Sequence, residues 1–252
     1  MLVMSDTNQL NSTPYSAGKF TTTHWSVILA AGDTSSPKHE QALSELCQSY
    51  WYPLYAYLRK RGYNSHQAED YTQSFFAHML EKHSLHKVEP TAGKFRSFLL
   101  KSLKHFVSDK QDYSKAIKRG GAAHKISLDV EKAEDQYTRS LAHNISPEKI
   151  FERSWAMLIL QKTMNKLKSE FESSNRQAHF EILSTYIAGQ RTNIPYHNLA
   201  IKLNMTEGAV KVAVYRLRKR YQELLRNEIA QTVATEDQID DEIRYLFEAL
   251  AY

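Results

Sequence analysis

Five cations, Lys211, Arg216, Arg218, Lys219 and Arg220, crowd about three helical turns within MTEGAVKVAVYRLRKRYQ, residues 205–222. Side chains of this type make and break no bonds in such an arrangement. Their chemistry is attraction for phosphate oxygens, which is strong and indifferent to base sequence. Val210, Val214, Leu217 and Tyr221 recur at helical spacing, so the cations ride on an amphipathic helix. Gly208 sits in its first turn, where it costs about 1 kcal/mol against alanine. A bare first turn admits close approach of a ligand, and free amides at a helix start favour anions.

The elements around this helix give it a use. A short helix carrying Leu199, Ala200 and Leu203 precedes it, Asn204–Thr206 forms a tight turn, and the Thr206 hydroxyl is placed to cap the next helix. That is the layout of a helix-turn-helix, whose second helix enters the major groove by its N-terminal end. Lys211, Tyr215, Arg218 and Gln222 share one face, with Glu207, Arg216 and Lys219 beside them. An ordinary solvated cationic face is the competing reading.

A second cationic helix is expected from about Phe95 to Lys118. Lys101, Lys104, Ser108, Asp112, Lys115 and Arg119 lie opposite its apolar stripe, with His105 and Asp109 alongside. Residues 94–125 hold nine Lys/Arg against two Asp, net +7. Phe95, Phe98, Phe106 and Tyr113 could stack on unpaired bases, but rings at helical spacing belong first to a core. A third surface, SHQAEDYTQSFFAHMLE, is expected to be a helix capped by Ser65, presenting Gln67, Glu69, Asp70, Gln73 and Ser74 outward. It reads either as a soluble face or as a docking surface for a basic protein.

Catalytic motifs are missing from the 252 residues: no Walker loop, no HExxH, no paired-cysteine metal site. No catalytic residue, metal or cofactor is expected. His78, His83 and His86 lack a fourth ligand, and Cys47, the single cysteine, reads as a buried thiol in a reducing cytoplasm. No secretion signal and no membrane span is read in the chain.

The periodicity predicts an all-α fold. Residues 1–19 are expected to be disordered. Residues 20–120 form a helical domain, with a short helix at Trp25, Ile28 and Leu29 and a longer one that Pro53 kinks or divides. Residues 121–147 are a linker with at most local structure, and 148–230 a helix-turn-helix domain. Residues 231–252, net −5, form an acidic helix with Ile239, Ile243, Leu246 and Leu250 on one side. It reads as a lid on the second domain, or as a shield over the cationic helix that is displaced on activation.

Taken together, YWYPLYAYLRKRGYNSHQAEDYTQSFFAHMLE, GKFRSFLLKSLKHFVSDKQDYSKAIKRGG and IPYHNLAIKLNMTEGAVKVAVYRLRKRYQELL resemble three segments of a sigma-70 family RNA polymerase sigma factor of the extracytoplasmic-function (ECF) group. TTTHWSVILAAG and YWYPLYAYLRKRG are similar to a subgroup seen in planctomycetes. The resemblance spans residues 20–230. It implies a cytoplasmic, monomeric factor that binds core RNA polymerase at clamp and flap and directs initiation at promoter DNA. Glu69, Asp70 and Gln73 would face the clamp. Lys101, Lys104, His105, Ser108 and Asp109 would lie at or near the melted −10 element. Glu207, Gly208, Lys211, Tyr215, Arg216 and Arg218 would face the −35 groove. Tyr71 stands where the family usually has leucine, and Ser74 where an acid is common. Regulation by an anti-sigma factor or by the acidic C-terminal helix fits the same reading. A stand-alone helix-turn-helix regulator binding DNA as a dimer, and a helical adaptor with incidental basic patches, are the alternatives.

Overall fold

The computed structural model describes residues 28, 30–33, 35–81, 85, 94–116, 130–139, 145–187, 195–233 and 235–251, with backbone alone for 111–116, 130, 131 and 139. Within them the fold is all-α. The helices are α1 His39–Lys60, α2 Ser65–Glu81, α3 Phe95–Ala116, α4 Val130–Arg139, α5 Pro147–Ser173, α6 Gln177–Leu183, α7 Tyr196–Leu203, α8 Glu207–Ala230 and α9 Ile239–Leu250. Single 3-10 turns follow α6 (Ser184–Tyr186) and precede α9 (Glu236–Gln238). No helix among the described residues is long and apolar enough to cross a membrane. The expected tail 1–19 and most of the segment at Trp25 lie outside them, although Ile28 is buried in the core.

Local chemistry sets the helix ends. Ser146 accepts from the Lys149 amide at 3.3 Å, and Pro147 opens α5 where its missing N–H is harmless. Asn204 closes α7 in the left-handed region at φ 51°, a conformation asparagine tolerates. Gly62 takes φ 95° in the turn after α1. The start of α2 differs from expectation. Its cap is Asn64, whose Oδ1 accepts from the Gln67 amide at 2.9 Å while Gln67 Oε1 accepts from the Asn64 amide at 3.1 Å. Ser65 is the first helical residue. This reciprocal pair satisfies two orphan amides at once, which a lone serine hydroxyl cannot. Pro53 is buried inside α1 and does not divide it.

Packing does not follow the expected division near residue 147. One core joins Leu54 and Leu58 of α1, Leu99 and Leu103 of α3, Phe151, Trp155 and Ile159 of α5, Leu225 and Ile229 of α8, and Leu246 of α9. A second joins Leu167 at the far end of α5 with Phe180, Leu183, Leu199, Val210, Val214 and Leu217. Helices α5 and α8 therefore run through both cores. Trp155 and Phe151, at 1% and 0% exposure, make the first half of α5 a neighbour of α1.

The stretch expected as a linker contains α4, and α4 is fastened to α1. Glu134 accepts from Tyr55 Oη at 2.5 Å and from Arg59 Nε and Nη2 at 2.9 and 2.5 Å. The Arg59 guanidinium lies 5.0 Å over the Tyr137 ring. The hydrogen bond from Arg59 holds the Glu134 carboxyl below its ordinary range. A depressed carboxylate stabilises above its unfolded pKa, near 4.3, and that stabilisation is lost as pH falls through the folded value. Amide protection in residues 130–139, taken relative to the intrinsic exchange rate at each pH, should therefore fall on acidification from about pH 5 to 3, and Glu134→Gln should remove most of that pH dependence. An equal fall in the variant would show that Glu134 is not the titrating fastener.

Helix α9 packs on α5 and α8, as the lid reading expects, and not over the cationic turns. Its Ile239, Leu246 and Ala249 enter the first core, against α5 and the C-terminal half of α8. Asp240 pairs with Arg226, and Glu242 reaches Arg96 of α3. The cationic N-terminal half of α8 stays open, so α9 is not a shield over it. The reason is the pattern itself: the apolar stripe of α9 matches Leu225 and Ile229, which lie past the cationic turns.

Candidate nucleic-acid interface

Helix α8 begins as the turn chemistry requires. Thr206 Oγ1 accepts from the Ala209 amide at 3.2 Å. Val210, Val214 and Leu217 are buried at 0–2% exposure, which fixes the opposite face outward. That face carries Gly208, Tyr215 and Lys219, with Tyr215 66% exposed. A Cβ built on Gly208 meets no heavy atom within 4 Å, and its φ is not positive.

The expected reading residues separate into two sets. Arg216 and Lys219 are exposed and form no ion pair among the described residues. The others are engaged. Lys211 lies 3.3 Å from Glu207 and 5.9 Å from the Tyr196 ring centre. Arg218 Nε donates to the Tyr186 carbonyl at 2.9 Å, tying α8 to the turn after α6. Arg220 donates to Glu170 at 2.6 and 2.8 Å and to Glu223 at 3.0 Å.

A groove of about 720 Å³ runs beside this face. Phe171, Leu183, Ala213 and Leu217 help line it, with Arg176 and Arg216 among its polar residues. Val212, 47% exposed, stands on the helix between groove and outer face. No sequence signal marked the groove, because its lining comes from the far end of α5, from α6 and from α8 at once.

On α3, Lys101, His105, Ser108 and Asp109 are exposed. Lys104 is taken up differently: its Nζ donates to Glu148 at 2.7 Å and lies 5.7 Å over the Tyr57 ring. That hydrogen bond is the main cause holding the Glu148 carboxyl low. Asp112 and Lys115 continue the helix backbone, and Arg119 lies outside the described residues. Phe95 and Phe106 are buried, so these rings serve the core.

On α2, Asp70 is exposed and Glu69 half-buried, but Gln73 is buried at 7% and its Nε2 donates to Glu69 at 3.0 Å. The outward reading of Gln73 is corrected, because it turns along its own helix to orient Glu69. Cys47 is buried, and burial pushes its thiol up to about 11, leaving it unreactive. His78 packs its ring on Phe106 at 5.1 Å, while His83 and His86 lie outside the described residues.

The residue that sequence reasoning missed is Arg96. Its guanidinium is 3% exposed, 4.1 Å over the Trp155 ring and 4.8 Å over that of Tyr245. It donates to Glu152 at 2.8 Å and binds Glu242 through both terminal nitrogens. A signal existed: Arg96 falls in register with Leu99, Leu103 and Phe106, and Glu242 with Leu246 and Ala249. A charge on each of two buried stripes calls for a partner.

No protein-family model, no curated protein and no solved structure matches the chain.

Proposed function

We propose that the chain is an alternative sigma factor that binds core RNA polymerase and directs recognition of −10 and −35 promoter elements, DNA melting and initiation. The observation that carries the reading is the first half of α8. It is a capped helix start with a bare Gly208, an exposed Tyr215 and free Arg216 and Lys219, standing after a tight turn from α7. This is the form of a major-groove reader. The exposed Lys101 and His105 of α3 are the corresponding candidates for the −10 strand. Asp70 and Glu69 on α2 suit the polymerase clamp, and the groove beside α8 suits a flap segment. On this reading the chain makes no covalent chemistry and needs no cofactor. It works in the cytoplasm as a monomer until polymerase recruits it.

The test is transcription in vitro with core polymerase on a library of promoter fragments. New start sites that depend on this chain support the reading. A chain that forms homodimers, binds palindromic duplex and ignores core polymerase would be a stand-alone regulator instead.

The division of cations on α8 gives a separate expectation. Arg216→Ala and Lys219→Ala should each reduce the slope of log affinity against log salt by about 0.9, the loss of one phosphate contact. Arg218→Ala should leave the slope nearly unchanged and lower the melting temperature, because its Nε holds the Tyr186 carbonyl. Equal slopes for all three variants would show that the intramolecular partners do not sort these residues.

A further inference from the structure

We propose that the groove beside α8 is a binding site for a small amphipathic anion, a carboxylate on an apolar body, and that its occupation blocks initiation. The site stands on its own geometry. The blocking rests on the sigma-factor reading above.

The groove is open because the wall that α8 gives it is low. Gly208, Ala209 and Ala213 line it from that side, while Val210 and Val214 turn into the second core. Leu183 and Leu217, 3% and 2% exposed, make its floor. Protein interiors are close-packed, yet here about 720 Å³ beside a core is left unfilled by the described side chains. That volume falls within the roughly 300–1,000 Å³ of small-molecule sites, which are mostly apolar with a few convergent polar groups. Met205 adds a flexible thioether that adapts to what it touches.

Charge selects among small molecules. The guanidinium groups of Arg176, Arg216 and Arg220 line the groove against the single carboxylate of Glu170. With His179 neutral the lining carries three positive charges and one negative, net +2. Glu170 is already taken: it accepts from Arg220 at 2.6 and 2.8 Å, and that hydrogen bonding holds its carboxyl below the ordinary range. A cationic ligand therefore finds no free acid among the lining residues. An anionic one finds Arg216, exposed and one turn of α8 before Arg220. Arg176 lies 4.9 Å over the Phe171 ring, which holds a second cation against the apolar wall. A carboxylate engages a guanidinium through two parallel hydrogen bonds. No Asn or Gln side chain lines the groove to read a base edge, so a nucleotide is poorly served. From Gly208 to Arg216 the wall runs about 12 Å at 1.5 Å per residue, space for a medium-length acyl chain lying along α8 with its carboxylate at Arg216.

This placement gives the ligand its effect. Arg216 is one of the α8 cations left for phosphate, and a carboxylate bound to it withdraws that contact. The same groove is the one offered above to a flap segment. Ligand and promoter complex then exclude each other, each lowering the affinity for the other by one factor.

The experiment titrates decanoate, decyltrimethylammonium and acetate, all below micelle-forming concentrations, into the full-length chain and reads binding by calorimetry. Decanoate should fill one saturable site. The other two keep only the chain or only the charge and should bind at least about tenfold more weakly. Arg176→Gln should weaken decanoate about tenfold and leave decyltrimethylammonium unchanged. Ala213→Phe, which fills the groove, should abolish decanoate binding. Circular dichroism checks that both variants are folded, and Arg176→Gln, at an exposed side chain, decides the matter if Ala213→Phe is not. Equal binding of the three compounds, or decanoate affinity unchanged in the folded variants, overturns the site. If decanoate does not bind while folded Ala213→Phe loses capture by core polymerase, the groove belongs to a polymerase segment alone. Decanoate is then added to transcription by core polymerase and this chain. At saturation initiation should fall about tenfold, and Arg176→Gln, measured against its own ligand-free level, should resist the same concentration. Full initiation at saturating decanoate overturns the blocking and leaves the site and the sigma reading standing. If the chain initiates nowhere, the sigma reading fails and takes the blocking with it, while calorimetry still decides the site.

Discussion

Arg96→Ala is expected to lower the unfolding free energy by about 3–5 kcal/mol. The expectation follows from what is left behind. Glu242 is 1% exposed and the Glu152 side chain 17%. Without the guanidinium the two carboxylates lose their shared counter-ion, and only Lys94 still reaches Glu242. The rings of Trp155 and Tyr245 also lose the cation between them. Arg96→Lys should recover part of the loss, since an ammonium keeps the charge but cannot fork to two carboxylates or stack flat. Urea denaturation gives the answer as a drop in midpoint at unchanged m. A loss below about 1 kcal/mol would mean that water reaches the cluster and screens it. The double change Arg96→Met with Glu242→Leu removes the buried cation together with one of its carboxylates. It should be neutral or stabilising, as apolar replacements of buried ion pairs often are.

The cluster also shows where sequence reading stops. Helices α7 and α8 were legible, because the Asn204 turn and the Thr206 cap are local signals that act on their own neighbours. Helix α4 was not. Only Ala133 and Tyr137 of its described side chains are buried, too few for a periodic stripe, and its anchor is polar, from Glu134 to residues 75 and 79 positions earlier. The same limit applies within the candidate interface. Composition placed Lys104, Arg218 and Lys219 together as cations. Only the fold separates Lys219, which faces water, from Lys104 and Arg218, which hold Glu148 and the Tyr186 carbonyl. Gln73 carries a similar lesson. Its spacing put it beside Asp70, but its side chain lies along α2 toward Glu69 and is buried, while Asp70 stays in water. Periodicity reports which face is apolar. It does not report which polar residues at the margin are taken by partners distant in the chain.

Gly208→Ala should raise stability and lower function, two effects of opposite sign from one methyl group. Inside the molecule nothing requires glycine at this position. Its backbone lies outside the left-handed region, and an added Cβ meets no heavy atom within 4 Å. Alanine in the first turn of α8 should therefore gain about 0.5–1 kcal/mol by helix propensity and by restricting the unfolded chain. The reason for glycine must lie in something the helix start approaches from outside, and Gly208 faces both the outer stripe with Tyr215 and the groove with Phe171. Gly208→Gln enlarges the effect. It keeps a good helix former while holding a long side chain between the α8 amides and any phosphate. Promoter binding by the polymerase complex should fall about tenfold or more, near 1.4 kcal/mol, with the unfolding midpoint at or above that of the parent chain. Two binding measurements then locate the ligand. Weaker promoter binding with unchanged capture by core polymerase assigns the bare turn to DNA. Weaker capture with unchanged DNA binding by the captured complex assigns it to the groove. A variant that is more stable and fully active would mean that neither partner comes within a side chain's length of Gly208, and the first turn of α8 would lose its place as the reading end of the helix.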